Sequence, residues 1–305
     1  AGATVALVVS EDYHNNLKDA VIALEKDTMG GASVRNAAMF ASITAAIADL
    51  PATGGIVLIP VGTYTEQVII NATTVPNRLI LMGCSDGSVI QGPAAKSAIK
   101  IGADLTTQFD KNVVILNLKV IGGSSFPGME LINAGYLSFY NVRSVGSPAE
   151  GWSLLGVVGC SFYDCWGSNS GTWELLMDND TAGTPHVCSR NRFYGLQVSG
   201  VARTGGGIKI ACNTGANPAD ANIFISTSFE ASFNSKPGIQ LDGNVRNTRV
   251  ISPFFEAETN VAGVKASAYI YISSAGPGPP DLNVIEDPTL WGYCDRIIHI
   301  ENRNT

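Results

Sequence analysis

Two kinds of short apolar segment alternate along most of this chain of 305 residues. The first kind carries a turn residue between apolar residues and recurs as ILNLKV (115–120), FYNVRSV (139–145), FYDCW (162–166), FYGLQV (193–198), ISTSF (225–229), ISPFF (251–255) and IEDPTL (285–290). The second kind often begins with Gly and recurs as GMELI (128–132), GWSLL (151–155), GTWELL (171–176), GGIKI (206–210), GIQL (238–241), AYIYI (268–272) and RIIHI (296–300). A repeat this short cannot bury its apolar face alone, so successive repeats have to stack, as in a solenoid.

The turn residues of the first kind of segment recur 23 to 34 residues apart. They are Asn117, Asn141, Asp164, Gly195, Thr227, Pro253 and Asp287. So loose a period excludes leucine-rich and propeller arrays. Short strands with Asn, Asp or Gly at the corners predict a coil of parallel strands, because these residues tolerate the left-handed backbone region. With strands about 4.8 Å apart, about nine or ten turns would make a rod about 45 Å long.

The same alignment predicts which side chains point into the coil. Phe139, Phe162 and Phe193 occupy equivalent positions, so we expect them to stack as one inner ladder. The predicted outward positions in the second kind of segment are Ser153, Glu174, Lys209, Gln240, Tyr271 and His299.

The first 50 residues differ from the rest of the chain. Residues 16–27 and 33–50 are rich in Ala and place apolar residues near helical spacing, with Ser33 as an N-cap and Pro51 just past the end. The following strand, 56–59, is apolar on both faces, so the 33–50 helix is expected to cover it and to close the end of the coil. We predict a helical segment and cap over 1–53 and the coil over 54–305.

Composition narrows the possible partners. The chain is 45% apolar and 15% charged, which suits a packed core and not a disordered protein. Its formal charge of −7 argues against nucleic acid as a partner, and no apolar run is long enough to enter and cross a bilayer. The N-terminal stretch lacks the pattern of a signal peptide, which was either removed or is not used.

The six cysteines have no CxxC pair and no His at zinc spacing. We expect them to be small apolar core residues, in preference to disulfides or metal ligands. No metal or other cofactor is predicted.

The segment FASITAAIADLPATGGIVLIPVGTYTEQVII resembles the N-terminal part of the pectate-lyase-like right-handed parallel β-helix superfamily, as do ANIFISTSFEAS (221–232), PGIQLDGN (237–244) and NTRVISPFFEAE (247–258). The resemblance implies an all-β fold, a single-stranded right-handed parallel β-helix with an N-terminal α-helical cap. Signature motifs of pectin methylesterases, polygalacturonases and pectate lyases are absent from the sequence. The remaining relatives by character are phage tailspikes and other virion β-helices, which often form trimers and bind or cut surface polysaccharide.

One candidate catalytic group consists of outward carboxylates. Glu230 and Glu256 take the same position in successive repeats, so they should lie about 5 Å apart. Hydrolysis of a glycosidic bond uses two carboxylates at about that separation. Glu258 shares the face of Glu256, and Asp242 lies on a neighbouring face. The alternative is a solvated ladder, or ion pairs with the nearby Lys236, Arg246 or Arg249.

A second candidate group lies in the insertion at 173–192. Its predicted substrate contacts are Trp173, Glu174, Asp178, Asp180, Arg190 and Arg192. Trp faces stack on sugars, and the two aspartates could supply oxygen ligands to Ca²⁺, although their spacing does not match an EF-hand. Solvated loop carboxylates are the alternative for both roles.

A positive mean hydropathy, with Tyr140, Trp152 and Tyr271 assigned to outward positions, indicates apolar surface that a homotrimer would bury. We therefore predict a trimeric tailspike, head-fibre or decoration protein, located in a virion or outside the cell. Its partners would be bacterial surface glycan or other virion proteins, with cleavage of the glycan left open. The alternatives are a purely structural capsid or tail protein and a secreted polysaccharide lyase or hydrolase.

Overall fold

The structure, a computed structural model, describes residues 33–75, 77–102, 108–178, 187–199, 206–212, 218–230, 236–257, 269–273, 281–292 and 298–301. It contains thirty strands, a 3₁₀-helix at Ala37–Met39 and one α-helix, α1 (Ile43–Ala48), in these parts of the chain. None of these helices is long enough to span a membrane.

The strands follow in chain order. The first ten are β1 (Ser33–Asn36), β2 (Gly55–Ile59), β3 (Gly62–Thr65), β4 (Val68–Ile70), β5 (Arg78–Gly83), β6 (Ser88–Gln91), β7 (Ile99–Ile101), β8 (Asn112–Leu116), β9 (Lys119–Ile121) and β10 (Met129–Ile132). The next ten are β11 (Ser138–Tyr140), β12 (Arg143–Val145), β13 (Trp152–Leu155), β14 (Ser161–Tyr163), β15 (Trp166–Ser168), β16 (Trp173–Asp178), β17 (Arg192–Tyr194), β18 (Gln197–Ser199), β19 (Gly206–Cys212) and β20 (Ala219–Asp220). The last ten are β21 (Ile223–Ile225), β22 (Ser228–Glu230), β23 (Ile239–Gly243), β24 (Val245–Arg246), β25 (Arg249–Ile251), β26 (Phe254–Ala257), β27 (Ile270–Ser273), β28 (Val284–Glu286), β29 (Thr289–Gly292) and β30 (Ile298–Glu301).

Each turn of the coil gives one strand to each of three parallel sheets. Sheet A runs β1-β2-β5-β8-β11-β14-β17-β21-β25-β28. Sheet B runs β3-β6-β9-β12-β15-β18-β22-β26-β29, and sheet C runs β4-β7-β10-β13-β16-β19-β23-β27-β30. The pair β20 and β24 forms a small separate sheet. Neighbouring strands in each large sheet are one turn apart, so the predicted parallel β-helix is confirmed; its right-handed sense stays a prediction.

The corners from sheet A to sheet B use the left-handed backbone region. Asn117, Asn141, Asp164, Gly195 and Asp287 have φ between 48° and 64°, as the sequence predicts. At the other two marked corners the prediction is one residue late.

At those two corners Ser226 and Ser252 take the left-handed conformation, with φ of 52° and 49°. Thr227 and Pro253 follow them and are buried. Along this edge the corner N–H donates to the next turn, as from Asn141 to the carbonyl of Tyr163 at 2.9 Å.

The predicted phenylalanine ladder is the centre of the core. Phe139, Phe162 and Phe193 are fully buried, with ring centroids 4.8 and 4.4 Å apart, and the ladder continues to Phe224. Trp152 packs edge-on against Phe139 and Phe162 with 2% of its surface exposed. The prediction that Trp152 points outward is wrong. Successive side chains of a strand point to opposite faces, so Trp152 points inward when Ser153 points outward.

A second internal ladder is made of amides at the corner before sheet A. The Asn191 side chain accepts from the N–H of Cys160 and donates to the carbonyl of Val157. Asn222, one turn later, accepts from the N–H of Asn191 and donates to the carbonyl of Cys188. Both amides are fully buried, so they supply the partners that the corner backbone requires.

The N-terminal helix is shorter than predicted. Residues 33–36 form β1, which pairs with the edge of β2, and α1 begins only after Ser42, whose hydroxyl accepts from the N–H of Ala45. Glu66 also accepts from the first helical N–H groups, and α1 packs on β2 and β4. The prediction of a helix over 33–50 is thus wrong in its first part, because residues 33–36 pair with the otherwise free edge of β2. The capping role and the division at 53/54 stay predictions, and 16–27 lies outside the described residues.

Four of the five cysteines in the described part of the chain are buried, as predicted for small apolar core residues. Cys160, Cys165, Cys188 and Cys212 are buried and Cys84 is half-buried, while residue 294 lies outside the described ranges. Burial raises the pKa of Cys160, Cys165 and Cys188 from 9.0 to about 12. These thiols therefore act as small apolar core groups.

The inner ladder yields a stability prediction. Phe162→Ala removes a ring stacked on both sides, so the free energy of unfolding should fall by about 3–5 kcal/mol. The matched change Ser161→Ala, at the adjacent outward position, should alter it by less than about 0.5 kcal/mol. Urea titration followed by circular dichroism measures both, and equal midpoints for the two variants would contradict the buried stack.

The buried thiols yield a pH prediction. Above pH 9 an unfolded thiol loses its proton, while the folded protein keeps Cys165 protonated up to about pH 12. The free energy of unfolding should therefore fall as pH rises from 9 towards 12. In Cys165→Ala the urea midpoint should depend less steeply on pH over this window than in the wild type; an identical slope would argue against burial of the thiol.

Candidate functional site

The outer face of sheet B carries a line of side chains that we call the carboxylate strip. It comprises Trp166, Ser199, Glu230, Glu256 and Trp291, which lie on the five consecutive strands β15, β18, β22, β26 and β29. Four of these residues follow one another in register, from Ser199 through Glu230 and Glu256 to Trp291. Trp166 lies in the neighbouring column, in register with Gln197, and its indole Nε1 donates to Ser199 Oγ at 3.2 Å. The strip runs across the strands, along the axis of the coil.

The two glutamates stack as the sequence predicts. Glu230 pairs in register with Glu256, and beneath them the inward rings of Phe229 and Phe255 stack with centroids 4.6 Å apart. Parallel neighbours of this kind are about 4.8 Å apart. The aromatic pair below fixes the register, so the outward carboxylates are held side by side.

Both carboxylates of the strip are partly exposed. Glu230 and Glu256 are half-buried, and Ser228 Oγ donates to Glu230 Oε1 at 3.0 Å. Among the described residues neither glutamate forms an ion pair, and Arg249 pairs with Glu286 instead. The alternative of pairing with nearby cations therefore finds no support in this part of the chain.

Indole rings stand at both ends of the strip. Trp166 is half-buried, and the guanidinium of Arg143 lies 5.2 Å from the centre of its ring. Trp291 is 64% exposed. Four strand spacings separate the two, or about 19 Å along the coil. An extended ligand could reach from one ring to the other across the carboxylates.

Asp242, the third predicted carboxylate, lies on sheet C and not in the strip. It accepts from Gln240 Nε2 at 3.3 Å and pairs with Lys209 at 3.4 Å, with 12% of its side chain exposed. An aspartate so engaged holds its neighbours in place. Glu258, the fourth, lies outside the described residues.

Glu174, predicted to contact substrate, is 2% exposed. Ser170 donates its N–H and its hydroxyl to this carboxylate, at 2.9 and 2.6 Å. The predicted outward position of Glu174 is wrong because the alignment was shifted by two residues. In the structure Leu176 aligns with Ser153 and Lys209 and takes the outward position. The other predicted outward positions, from Lys209 through Gln240 and Tyr271 to His299, are confirmed.

The remaining predicted sugar contacts that the structure describes do not form one group. Trp173 and Asp178 stand at opposite ends of β16 in sheet C, and the Trp173 ring packs against Gly206. Arg192 begins β17 in sheet A, with Arg190 just before it. Residue 180 is not among those described. No cluster of three or more potential metal ligands occurs within the described ranges.

The sequence did not lead us to place Trp166 and Trp291 on the same face as Glu230 and Glu256. Trp166 lies two residues after the corner residue Asp164, and Trp291 lies four residues after Asp287. Both therefore fall within or directly after the repeated segments FYDCW and IEDPTL. Unequal loops between the repeats conceal that these indoles share a face with the glutamates.

Comparison with solved structures finds one viral protein whose fold is similar and weaker likenesses to two others. ORF18 of Geobacillus virus E2 is 13% identical with a TM-score of 0.57, covering 94% of this chain and 62% of that one. The Dettilon tailspike protein (gp208) is 14% identical at 0.38, covering 86% and 66%. The GH87 alpha-1,3-glucanase of Streptomyces thermodiastaticus is 15% identical at 0.33, covering 87% and 68%.

The chain has a viral parallel β-helix as a structural neighbour. It spans only 62% of the length of that viral protein, and at 13% identity the likeness concerns the fold alone. The TM-scores of the other two lie below 0.5, so they do not bear on the fold. No family description and no curated protein matches the sequence.

The burial of Glu174 predicts a structural role. Glu174→Leu removes the acceptor of two Ser170 donors, and each unsatisfied donor should cost about 1–3 kcal/mol. Glu174→Gln keeps an acceptor and should cost less. Urea unfolding compares the three proteins. A leucine variant as stable as the wild type would remove this role and restore Glu174 as a candidate contact.

Proposed function

We propose that this protein is a virion-associated, trimeric β-helix that binds cell-surface polysaccharide along the carboxylate strip. The observation that carries the proposal is the in-register pair Glu230–Glu256 between two indole rings on one face of the coil. A viral protein with this fold agrees with the virion assignment. The location would be the virion or the extracellular space.

The chemistry of the strip suits a neutral sugar chain. Indole faces offer flat apolar area to the C–H faces of sugar rings, while carboxylates accept hydrogen bonds from hydroxyl groups. Serine and glutamine side chains at Ser199, Ser228 and Gln197 add further donors and acceptors. A length of about 19 Å favours several linked sugars over a single one, because four strand spacings separate the rings.

Cleavage is the finer version of the proposal. Two carboxylates about 5 Å apart fit a retaining hydrolase. One, as the acid, would give its proton to the glycosidic oxygen as the bond to the anomeric carbon breaks. The other would form a covalent ester with that carbon, which water then hydrolyses. A binding protein would use the same residues without either step.

Two other functions differ from this one in what the strip does. A purely structural capsid or tail protein would leave it empty, and a secreted polysaccharide lyase or hydrolase would use it without a virion. The exposed Trp291 beside the two carboxylates supports ligand binding, because an indole offers a flat apolar face to a sugar ring.

The binding prediction uses a panel of bacterial capsular and O-antigen polysaccharides. For a polysaccharide that the wild type binds, Trp291→Ala should lower affinity by about tenfold or more, since loss of a Trp anchor costs about 2 kcal/mol. Glu256→Gln should also weaken binding. Glu130→Gln, a half-buried outward carboxylate on sheet C, is the matched control and should bind normally. Calorimetry measures the affinities.

New reducing ends after incubation with the wild type would add cleavage, and Glu230→Gln and Glu256→Gln should then each abolish it. Binding unchanged in Trp291→Ala and Glu256→Gln would remove the strip as the site. Binding by no member of the panel favours the structural alternative.

A further inference from the structure

The outer face of sheet A carries an uninterrupted apolar column, which we call the sheet A stripe. Its members lie in register on eight consecutive strands, from β2 to β25. They are Leu58, Met82, Leu116, Tyr140, Tyr163, Tyr194, Ile225 and Ile251. Tyr140 is 41% exposed and the other seven are half-buried. Seven strand spacings make the stripe about 34 Å long.

The tyrosines in the middle of the stripe form a rigid row. The rings of Tyr140, Tyr163 and Tyr194 are parallel within 5°, with centroids 4.7 and 4.9 Å apart. Each ring face is thus covered by the next ring, which leaves edges and hydroxyls outward. Such a row offers little area for a sugar to stack on, but it presents a flat, preorganised surface to another protein.

In the strands that the structure describes, the other two faces lack such a column. The central outward column of sheet C carries Lys100, Glu130 and Lys209, and sheet B carries the carboxylate strip. A sheet face open to water is normally polar, so eight apolar positions in succession mark a surface that another molecule covers.

We propose that the sheet A stripe is the surface through which copies of this chain pack around a threefold axis parallel to the coil. This inference rests on the trimeric assembly in the proposed function and names its contact face. The stripe runs along the coil over all eight strands because its register has no offset from turn to turn. A partner that covers all of it has to extend for about 34 Å, and a second copy of the chain carries a stripe of that length.

Charge on the two sides of the stripe favours parallel copies. The first outward position of its strands carries the exposed Arg192 and Arg249, of which Arg249 also pairs with Glu286 of its own chain, and the corners beyond it carry the exposed Asp164 and Asp287. Around an axis parallel to the coil, the strand-start side of one copy meets the corner side of its neighbour. Cations then approach anions.

The area of the stripe favours three copies over two. Three-residue strands are about 10 Å long, so the stripe covers about 340 Å². A stable pair needs about 800 Å² from each partner. Around a threefold axis each copy contacts two neighbours, so the surfaces on both sides of the stripe add to the area that each copy buries.

The test measures mass by light scattering at micromolar concentration. Wild-type protein should have the mass of three 31.9 kDa chains, 3 × 31.9 = 95.7 kDa. Tyr163→Arg with Ile225→Arg should give single chains, because buried guanidinium groups would face one another across the axis. Leu176→Arg, the same kind of change at a half-buried outward leucine on sheet C, should remain trimeric. Circular dichroism checks the fold, and Tyr140→Arg, at a 41% exposed position, replaces the double variant if that variant does not fold.

The outcomes separate the contact face from the rest of the proposed function. A trimeric Tyr163→Arg/Ile225→Arg protein, or a monomeric Leu176→Arg protein, overturns the stripe as the contact. A monomeric wild type overturns the assembly itself. Polysaccharide binding by the monomeric double variant, measured in parallel, reports on the carboxylate strip alone.

Discussion

Parallel stacking of each turn on the one before, in constant register, is the constraint on which this structure depends. Side chains alternate with a period of two, so one register decides both what lies inside and what lies outside. Inside, it brings Phe162 between Phe139 and Phe193. Outside, the same pairing brings Glu230 beside Glu256, although 26 residues separate them. The core thus positions the surface.

Three sheets with one register each give the coil three faces of different chemistry. Sheet A presents an apolar column, sheet B carboxylates between indoles, and sheet C ion pairs such as Lys209–Asp242. In a solenoid, the residues at one outward position of successive turns lie next to one another, so they form a continuous line along the axis. Lines along the axis suit long partners, a polymer on one face and a second coil on another.

The fold could be predicted from the sequence because its signals are local and repeated. The phenylalanine ladder and the pairing of Glu230 with Glu256 follow from aligning the strands. Trp173 and Glu174 show the limit: two extra residues before the strand shift the alignment, and burial against Ser170 appears only in three dimensions. The amide ladder and the distant Trp291 likewise depend on contacts between turns that variable loops conceal.

The most direct measurement is a disulfide formed across two turns on sheet B. In Glu230→Cys/Glu256→Cys the two cysteines lie in register, about 4.8 Å apart, which is within the span of a disulfide. Constant register predicts that mild oxidation links them almost completely. It also predicts that Glu230→Cys/Phe254→Cys, two residues out of register, links poorly. Preferential linkage of 230 to 254, or no linkage in either protein, would contradict the stacking from which the core, the carboxylate strip and the sheet A stripe all follow.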